Sequence, residues 1–231
     1  AAYAAYAAYA AYAAYAAEMA TSVALLLLLC HHAGAVKIPP QPESAPRAPA
    51  AGADDLTLLL QRAALHNDAN ELRSLLRRGA QPDLAGRNGY TALIVAANSG
   101  SLDAVRALCA HGASVDARGK NALTALHAAA GQGHADIVSF LCARGAPVQA
   151  AMSSQGFTPL IYAAHAGHTG VVRLLLAHGS ECDAIEHAGY TALHMAALNG
   201  QVVVASVLLD AGADTSVRGK DGGFVPLHLA A

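Results

Sequence analysis

Histidine is the residue type in this chain that could most readily bind a metal or move a proton, since it occurs 12 times in 231 residues. A zinc site needs three or four ligands that converge on one point. His165 and His168 are three residues apart, but no Cys or carboxylate stands in register to complete such a site. We therefore predict that the protein holds neither a metal nor a cofactor.

The nucleophilic and acidic residues also lack the spacing that catalysis requires. The four cysteines, Cys30, Cys109, Cys142 and Cys182, include no Cys-x-x-Cys pair, and we interpret Cys109, Cys142 and Cys182 as small buried apolar residues. No Gly-x-Gly-x-x-Gly, Gly-Lys-Ser/Thr or Gly-x-Ser-x-Gly motif occurs, and the carboxylates are dispersed. The sequence thus predicts that the chain is not an enzyme and binds no small-molecule substrate.

The charge balance points to a protein partner. Lys plus Arg total 14 against 16 for Asp plus Glu, and the two signs alternate along the sequence instead of forming blocks. This pattern gives no electrostatic footprint for nucleic acid or for an anionic membrane. The apolar run at residues 23–30 is shorter than the about 20 residues that span a bilayer. We therefore expect neither nucleic-acid binding nor membrane association.

The elements that would position any functional side chain recur along the chain. A Thr-Ala-Leu core begins at Thr91, Thr124 and Thr191, with Thr-Pro-Leu at Thr158 and Val-Pro-Leu at Val225, so that the steps are 33, 34, 33 and 34 residues. Steps of this size are typical of stacked repeats. Abundant alanine and the absence of tryptophan favour thin, closely packed helices, and we predict an all-α fold.

Each repeat reads as helix, turn, helix and loop. The Thr can cap the first helix, and a pair of alanines lets neighbouring first helices approach. A glycine separates the two helices, and a second glycine ends the Leu-rich second helix. The stop glycines are Gly79, Gly112, Gly145, Gly179 and Gly212, and the glycines of the turn before the next first helix are Gly89, Gly156, Gly189 and Gly223.

These boundaries divide the chain into three parts. Residues 1–18 are a low-complexity Ala-Ala-Tyr tail, and residues 19–53 are an apolar leader followed by a Pro/Ala-rich linker, both expected to be disordered. Residues 54–231 form the repeat domain. We place a cap repeat at 54–86, with a polar Gln61-Arg62 face at the open end of the stack and with Asp54 and Asp55 as helix caps. Full repeats follow at 87–119, 120–153, 154–186 and 187–220, and a partial repeat at 221–231.

The repeats resemble the ankyrin-repeat family, whose pattern Gly-x-Thr-Pro-Leu-His-x-Ala-Ala-x-x-Gly-His is matched almost in full by residues 156–168 and 189–201. The resemblance implies L-shaped units with β-hairpin-like tips, stacked into a curved solenoid whose concave side binds proteins, and it implies no catalysis. It also implies that the motif histidines tie neighbouring turns by hydrogen bonds. The departures are Ile94 and Ile161 for the motif His, Ala122 for the turn Gly, and Val225 for Thr; the motif histidines are His127, His194 and His228.

The residue before each motif Thr or Val is a candidate for partner contact, because it is aromatic in four of the five units. Aromatic residues are enriched in binding hot spots, but the rings could equally pack on the next turn and only stiffen the hairpins. We take Tyr90, Phe157 and Tyr190 as anchors of an aromatic ladder on the concave face. The full candidate set is Tyr90, Leu123, Phe157, Tyr190 and Phe224, with Arg87, Asn88, Asn98, Gln132, Gln155, His165, His187, Leu198 and Asn199 around them.

Two functions follow. The first is a non-enzymatic module that binds a partner protein, and the alternative is the recruiting or regulatory arm of a larger enzyme or channel that continues after Ala231. We expect a monomer, apart from self-association through the uncapped last half-repeat. Free thiols favour an intracellular location. If Met19 starts translation, however, the apolar run and Ala33-x-Ala35 would fit a secretory signal peptide.

Overall fold

The computed structural model describes residues 53–220 and 222–230, with side chains from residue 55 onwards. The predicted tail, leader and linker therefore lie, up to residue 52, outside the described residues, as do Cys30, Asp221 and Ala231. The described part belongs to a single compact unit.

Eleven α-helices and no strand form within the described ranges, as predicted for an all-α repeat fold. They are α1 Ala53–Leu65, α2 Ala69–Arg77, α3 Ala92–Asn98, α4 Leu102–Ala110, α5 Ala125–Gln132, α6 Ala135–Ala143, α7 Pro159–Ala166, α8 Thr169–Ala177, α9 Ala192–Leu198, α10 Val202–Asp210 and α11 Pro226–Leu229. The odd-numbered first helices pack on one another in one row, and the even-numbered second helices form a second row against them.

Threonine starts four of the first helices by capping them. The Oγ1 atoms of Thr91, Thr124, Thr158 and Thr191 accept a hydrogen bond from the backbone N–H three residues later, at 3.3 to 3.4 Å. Each bond satisfies one of the amide groups that a helix leaves unpaired at its start. The predicted structural role of this Thr is confirmed.

Leucine and alanine pack the interior. Leu75, Leu108, Leu141, Leu175 and Leu208 occupy one equivalent position of the second helices, and each is at most 1% exposed. The alanine pairs at 96–97, 129–130 and 163–164 are 0% exposed, which lets the first helices lie close together. The five predicted stop glycines all have positive φ, between 80° and 93°, and end the second helices as expected.

The first repeat departs from the sequence-based expectation in two ways. Helix α1 begins at Ala53, so Asp54 and Asp55 lie in its first turn instead of capping it. Gln61, predicted to face the open end of the stack, is only 7% exposed. It points towards the next repeat because it occupies the position of the motif His, and its Nε2 donates to the carbonyl of Tyr90.

The loops before the first helices are hairpin-like and are joined to one another. Gly119 N donates to Leu123 O at 2.8 Å within one loop, and Glu186 N donates to Tyr190 O at 3.0 Å within another. Neighbouring tips are joined by backbone bonds of 2.7 to 2.9 Å, such as Lys120 N to Gly89 O. The predicted hairpin-like tips are therefore present and form one hydrogen-bonded series.

Ala122 is strained, since it takes the place of a turn glycine with a left-handed backbone, at φ 57°. We expect Ala122→Gly to raise the free energy of unfolding by about 1 kcal/mol, because glycine adopts this region without a steric cost. Chemical denaturation of both proteins measures the change. Gly189→Ala, at φ 85° in an equivalent turn, should change stability in the opposite direction, and a destabilised Ala122→Gly variant would contradict the explanation.

Candidate functional site

His127 is buried, and both of its ring nitrogens form hydrogen bonds within the repeat stack. It is 0% exposed, its Nδ1 lies 2.8 Å from Thr124 Oγ1 and accepts from Thr124 N at 3.4 Å, and its Nε2 donates to Phe157 O of the next repeat at 2.9 Å. Burial lowers the pKa of His127 to about 4, so the ring is neutral at pH 7. It is a hydrogen-bonded link between repeats.

The same link recurs at alternate interfaces between repeats. His194 Nε2 donates to Phe224 O at 3.1 Å, and Gln61 makes the equivalent bond to Tyr90 O in the first repeat. Ile94 and Ile161 fill this position in the two intervening repeats, and both are at most 2% exposed. Polar links and apolar packing thus alternate along the stack, and the hydrogen-bonding role expected for His127 and His194 is confirmed.

A second pair of histidines connects two of the repeats to the repeats that precede them. His134 Nε2 lies 3.2 Å from Asn98 O, and His168 Nε2 lies 3.0 Å from Gly131 O. The His168 ring also covers Gly133 so closely that an added Cβ would meet its Nδ1 at 2.7 Å. These rings are structural contacts.

The metal-ligating and nucleophilic side chains of the described residues are dispersed. Within the described ranges, no group of three His, Cys, Asp or Glu side chains could hold a metal ion. Cys109, Cys142 and Cys182 are free thiols, and burial raises the pKa of each, which disfavours the reactive thiolate. Cys109 is buried as predicted, whereas Cys142 and Cys182 are half-buried.

The aromatic ladder is divided between the interior and the surface. Phe157 is 2% exposed and Leu123 is 5% exposed, so neither is available to a partner, and Phe157 is not the anchor that the sequence suggested. Phe157 is buried because its ring packs in the interior, with its centroid 6.5 Å from that of the Tyr162 ring. The sequence could not separate this position from its equivalents.

Tyr90, Tyr190 and Phe224 are half-buried and keep part of their rings at the surface. Tyr90 packs on Gly119 and Tyr190 packs on Gly219, which are equivalent glycines of the next hairpin in each case. Each tyrosine therefore stiffens the hairpins with one side of the ring. The packing interpretation is thus confirmed for this side of each ring, and contact of the exposed remainder with a partner stays a prediction.

The ends of the first helices bring four of the predicted residues into two pairs across repeats. Gln132 Nε2 donates to Asn98 Oδ1 at 3.4 Å, and Asn199 Nδ2 lies 2.9 Å from His165 Nδ1. Burial lowers the pKa of His165 to about 4, so its Nδ1 accepts this bond at neutral pH. Gln132 is exposed and the other three are half-buried.

The predicted hairpin residues have different roles. Arg87 and His187 are exposed, whereas Asn88 and Gln155 are half-buried. Asn88 Oδ1 accepts from Tyr90 N at 3.0 Å and from Gln61 Nε2 at 3.3 Å, which commits that oxygen to the turn. Gln155 Oε1 is buried without a hydrogen-bond partner among the described residues.

Tyr162 belongs to the same surface and was not among the candidates. It is half-buried on α7, and its ring lies over Gly131, where an added Cβ would meet the ring at 2.6 Å. A signal was present in the sequence, since Gly131 stands where the other repeats carry Asn98, His165 and Leu198. We call the surface of the first-helix ends and hairpins the inner face; it comprises Asn98, Gln132, Tyr162, His165, Leu198, Asn199, Tyr90, Tyr190, Phe224, Arg87 and His187.

Stacked two-helix units that hold a common framework and vary along one row of helix ends and loops define a repeat solenoid, whose extended surface serves for binding. A family model described as ankyrin repeats (3 copies) matches residues 10–119, 60–152, 112–186 and 147–219 in overlapping stretches. The chain belongs to the ankyrin-repeat family, whose repeats are general protein-interaction modules.

Two curated relatives show how far the similarity extends. NF-kappa-B inhibitor delta of Mus musculus is 38% identical over 77 residues, which are 33% of this chain and 24% of that protein. Ankyrin repeat and SAM domain-containing protein 6 of Mus musculus is 36% identical over 72 residues, 31% of this chain and 8% of that protein. The match thus spans a quarter or less of either relative. In the described part of the chain, no helix has the length and apolarity to cross a membrane.

Proposed function

We propose that this chain is a non-enzymatic module that binds a partner protein on the inner face. The observation that carries the proposal is the pairing of Gln132 with Asn98 and of Asn199 with His165 across repeats. These pairs join side chains that differ from one repeat to the next across two of the interfaces between repeats. The framework residues beneath them, including His127 and His194, are buried and equivalent between repeats.

The chemistry of the inner face suits a protein ligand. The inner face combines the partly exposed rings of Tyr90, Tyr162 and Tyr190 with amide side chains. Rigid aromatic groups with polar neighbours are typical of interface hot spots, because they bury a large area at a small cost in side-chain entropy. Tyr90 and Tyr190 are held by the glycines of the next hairpin, so the inner face is ordered before a partner binds.

A second candidate is that these repeats are the recruiting or regulatory domain of a larger enzyme or channel. The relatives favour it, since the match covers 24% of one and 8% of the other, and the second carries a SAM domain by name. The reading frame after the codon for Ala231 tests this candidate. A stop codon directly after one further capping repeat would contradict it.

We place the module inside the cell. Cys109, Cys142 and Cys182 are free thiols, which suits a reducing compartment. Finding the protein exclusively in the culture medium by fractionation would contradict this placement.

Gln132 offers the cleanest test of the inner face, because it is exposed and contributes only one side-chain bond to the framework. We expect Gln132→Trp to reduce the amount of partner captured from native cells at least about tenfold, since an indole at this position blocks close approach. Tyr90→Ala would be less clear, because the ring also packs on Gly119.

Ser139→Trp is the matched control. Ser139 is an exposed residue of α6 in the same repeat, but it lies on the second-helix row. Quantitative mass spectrometry of the captured proteins should show no loss with this variant, and both variants should retain the wild-type circular dichroism and melting temperature. Equal capture by the wild type and by Gln132→Trp would contradict the proposed function.

A further inference from the structure

Exposed basic side chains occupy one equivalent position on four of the five described hairpins. The register of this position is fixed by backbone bonds between neighbouring tips, namely Lys120 N to Gly89 O at 2.7 Å, His187 N to Gln155 O at 2.8 Å and Lys220 N to Ala188 O at 2.7 Å. From the first hairpin to the fifth, the residues at this position are Arg87, Lys120, Ser153, His187 and Lys220, and all of them are exposed. We call Arg87, Lys120, His187 and Lys220 the basic row.

Few carboxylates lie on the hairpin tips beside the basic row. Arg118 and Arg218 are also exposed, two residues before Lys120 and Lys220 on the same hairpins. Among the described residues of 86–90, 118–123, 152–157, 186–190 and 218–224, Glu186 is the one carboxylate, and it is 7% exposed. Its two oxygens accept from Ala188 N at 2.9 Å and Tyr190 N at 3.0 Å, so they serve the hairpin itself.

No residue of the basic row forms a salt bridge with another described residue. The salt bridge found among the described residues joins Arg62 to Glu71 at 3.7 Å. Lys220 Nζ donates to His187 O at 3.1 Å, a contact that keeps its charge at the tips. Asp221 follows in the sequence, and its side chain lies outside the described residues. The tips therefore carry a local excess of positive charge in a chain whose formal net charge is −2.

We propose that the basic row binds an acidic, extended segment of the partner protein. This inference rests on the proposed function and specifies the chemistry of the ligand. Arg87, Lys120 and Lys220 are cations held on a rigid row, and such cations attract carboxylates and set the register in which the ligand binds. Each hairpin contributes two chain segments roughly 4.8 Å apart, so successive row positions are roughly 10 Å apart, which an extended chain covers in about three residues.

A peptide fits the tips better than a nucleic acid does. Exposed carboxylates stand four residues before three of the row positions, at Asp83, Asp116 and Asp183. A wide polyanion such as a duplex would meet these carboxylates, whereas a single extended peptide can follow the row alone.

Fluorescence anisotropy with the full chain tests the proposal. The probe is a labelled peptide of five Glu-Ser-Gly repeats, which places one carboxylate every third residue, and the comparison peptide has Gln in place of Glu. We expect the Glu peptide to bind, the Gln peptide to bind at least roughly tenfold more weakly, and the affinity for the Glu peptide to fall as salt is added.

The triple variant Arg87→Gln, Lys120→Gln and Lys220→Gln should lose roughly tenfold or more in affinity for the Glu peptide. The matched control is Arg73→Gln, Arg106→Gln and Arg173→Gln, which removes three exposed arginines from equivalent positions of the second helices. The control should bind like the wild type. Both triple variants should keep the wild-type circular dichroism, since the substituted side chains are exposed.

Three results would overturn the inference: no binding of the Glu peptide at about 1 mM, unchanged binding by the row variant, or tighter binding of a 15-mer of deoxythymidine than of the Glu peptide. If one of these results is found but Gln132→Trp still loses partner capture, the basic-row inference is wrong and the proposed function is retained. Unchanged capture by Gln132→Trp contradicts the proposed function itself, so the two failures are distinguishable.

Discussion

Replacing His127 by Ala should lower the free energy of unfolding by about 3 kcal/mol. The substitution removes the bonds to Thr124 and Phe157, each worth about 1 kcal/mol, and leaves a cavity at a position that is 0% exposed. His127→Gln should cost about 1 kcal/mol or less. The reason is that Gln61 occupies the equivalent position and donates to the equivalent carbonyl, that of Tyr90.

The same pair of variants tests the titration of His127. Its pKa is about 4 in the folded protein and about 6.5 in the unfolded chain, so the unfolded state binds more protons between these values. The stabilisation is complete above about pH 6.5 and is lost as the pH falls towards 4, by about 3 kcal/mol in total. Urea denaturation at pH 7 and pH 4 should show a smaller difference for His127→Gln than for the wild type.

A residual loss of stability in acid should remain in His127→Gln, because burial also lowers the pKa values of His165 and His194. Equal costs of the Ala and Gln substitutions at pH 7 would show that the bond to Phe157 contributes nothing. An unchanged acid dependence in His127→Gln would show that His127 is not the group that titrates.

Gly133→Ala should be among the most destabilising small substitutions, at about 2 to 4 kcal/mol. Gly133 has φ 80°, which costs a non-glycine residue about 1 kcal/mol, and its new Cβ would meet the His168 ring at 2.7 Å. Overpacking of this kind typically adds about 1 to 3 kcal/mol. Thermal or urea denaturation measures the sum.

Gly145→Ala separates the two contributions. Gly145 has the same φ of 80°, but nothing lies within 4 Å of an added Cβ, so it should cost only the about 1 kcal/mol of backbone strain. In the double variant Gly133→Ala, His168→Ala the steric contact is absent, and the cycle should show a favourable coupling between the two substitutions. Equal costs at Gly133 and Gly145 would contradict the tight packing of His168 on Gly133.

The framework could be predicted from the sequence because its residues act locally. The Thr caps, the stop glycines and the two-helix unit each depend on a few neighbouring residues, and a spacing of 33 to 34 residues repeats them. Gln61 was misplaced for the opposite reason. Its role depends on a carbonyl 29 residues later, and the signal for its equivalence to His127 is limited to the alanine pair Ala63-Ala64 and the spacing of 33 residues to Ile94.

The surface was less predictable, since it depends on how consecutive repeats stack. Tyr90 and Phe157 share one motif position, yet only Tyr90 retains surface exposure. The basic row could not be predicted from the sequence for the same reason. Lys120, His187 and Lys220 are far apart in a sequence of mixed charge, and the bonds between hairpin tips bring them into one series.

Site-specific photo-crosslinking tests the central claim, that a partner protein binds the inner face, most directly. A benzophenone side chain would be introduced at exposed Gln132 on the inner face or, as the matched position, at exposed Ser139 on the second-helix row. After irradiation in native cells, we expect a discrete crosslinked partner from position 132 and none from position 139. A partner crosslinked from position 139 and absent from position 132 would show that the partner binds the second-helix row instead of the inner face.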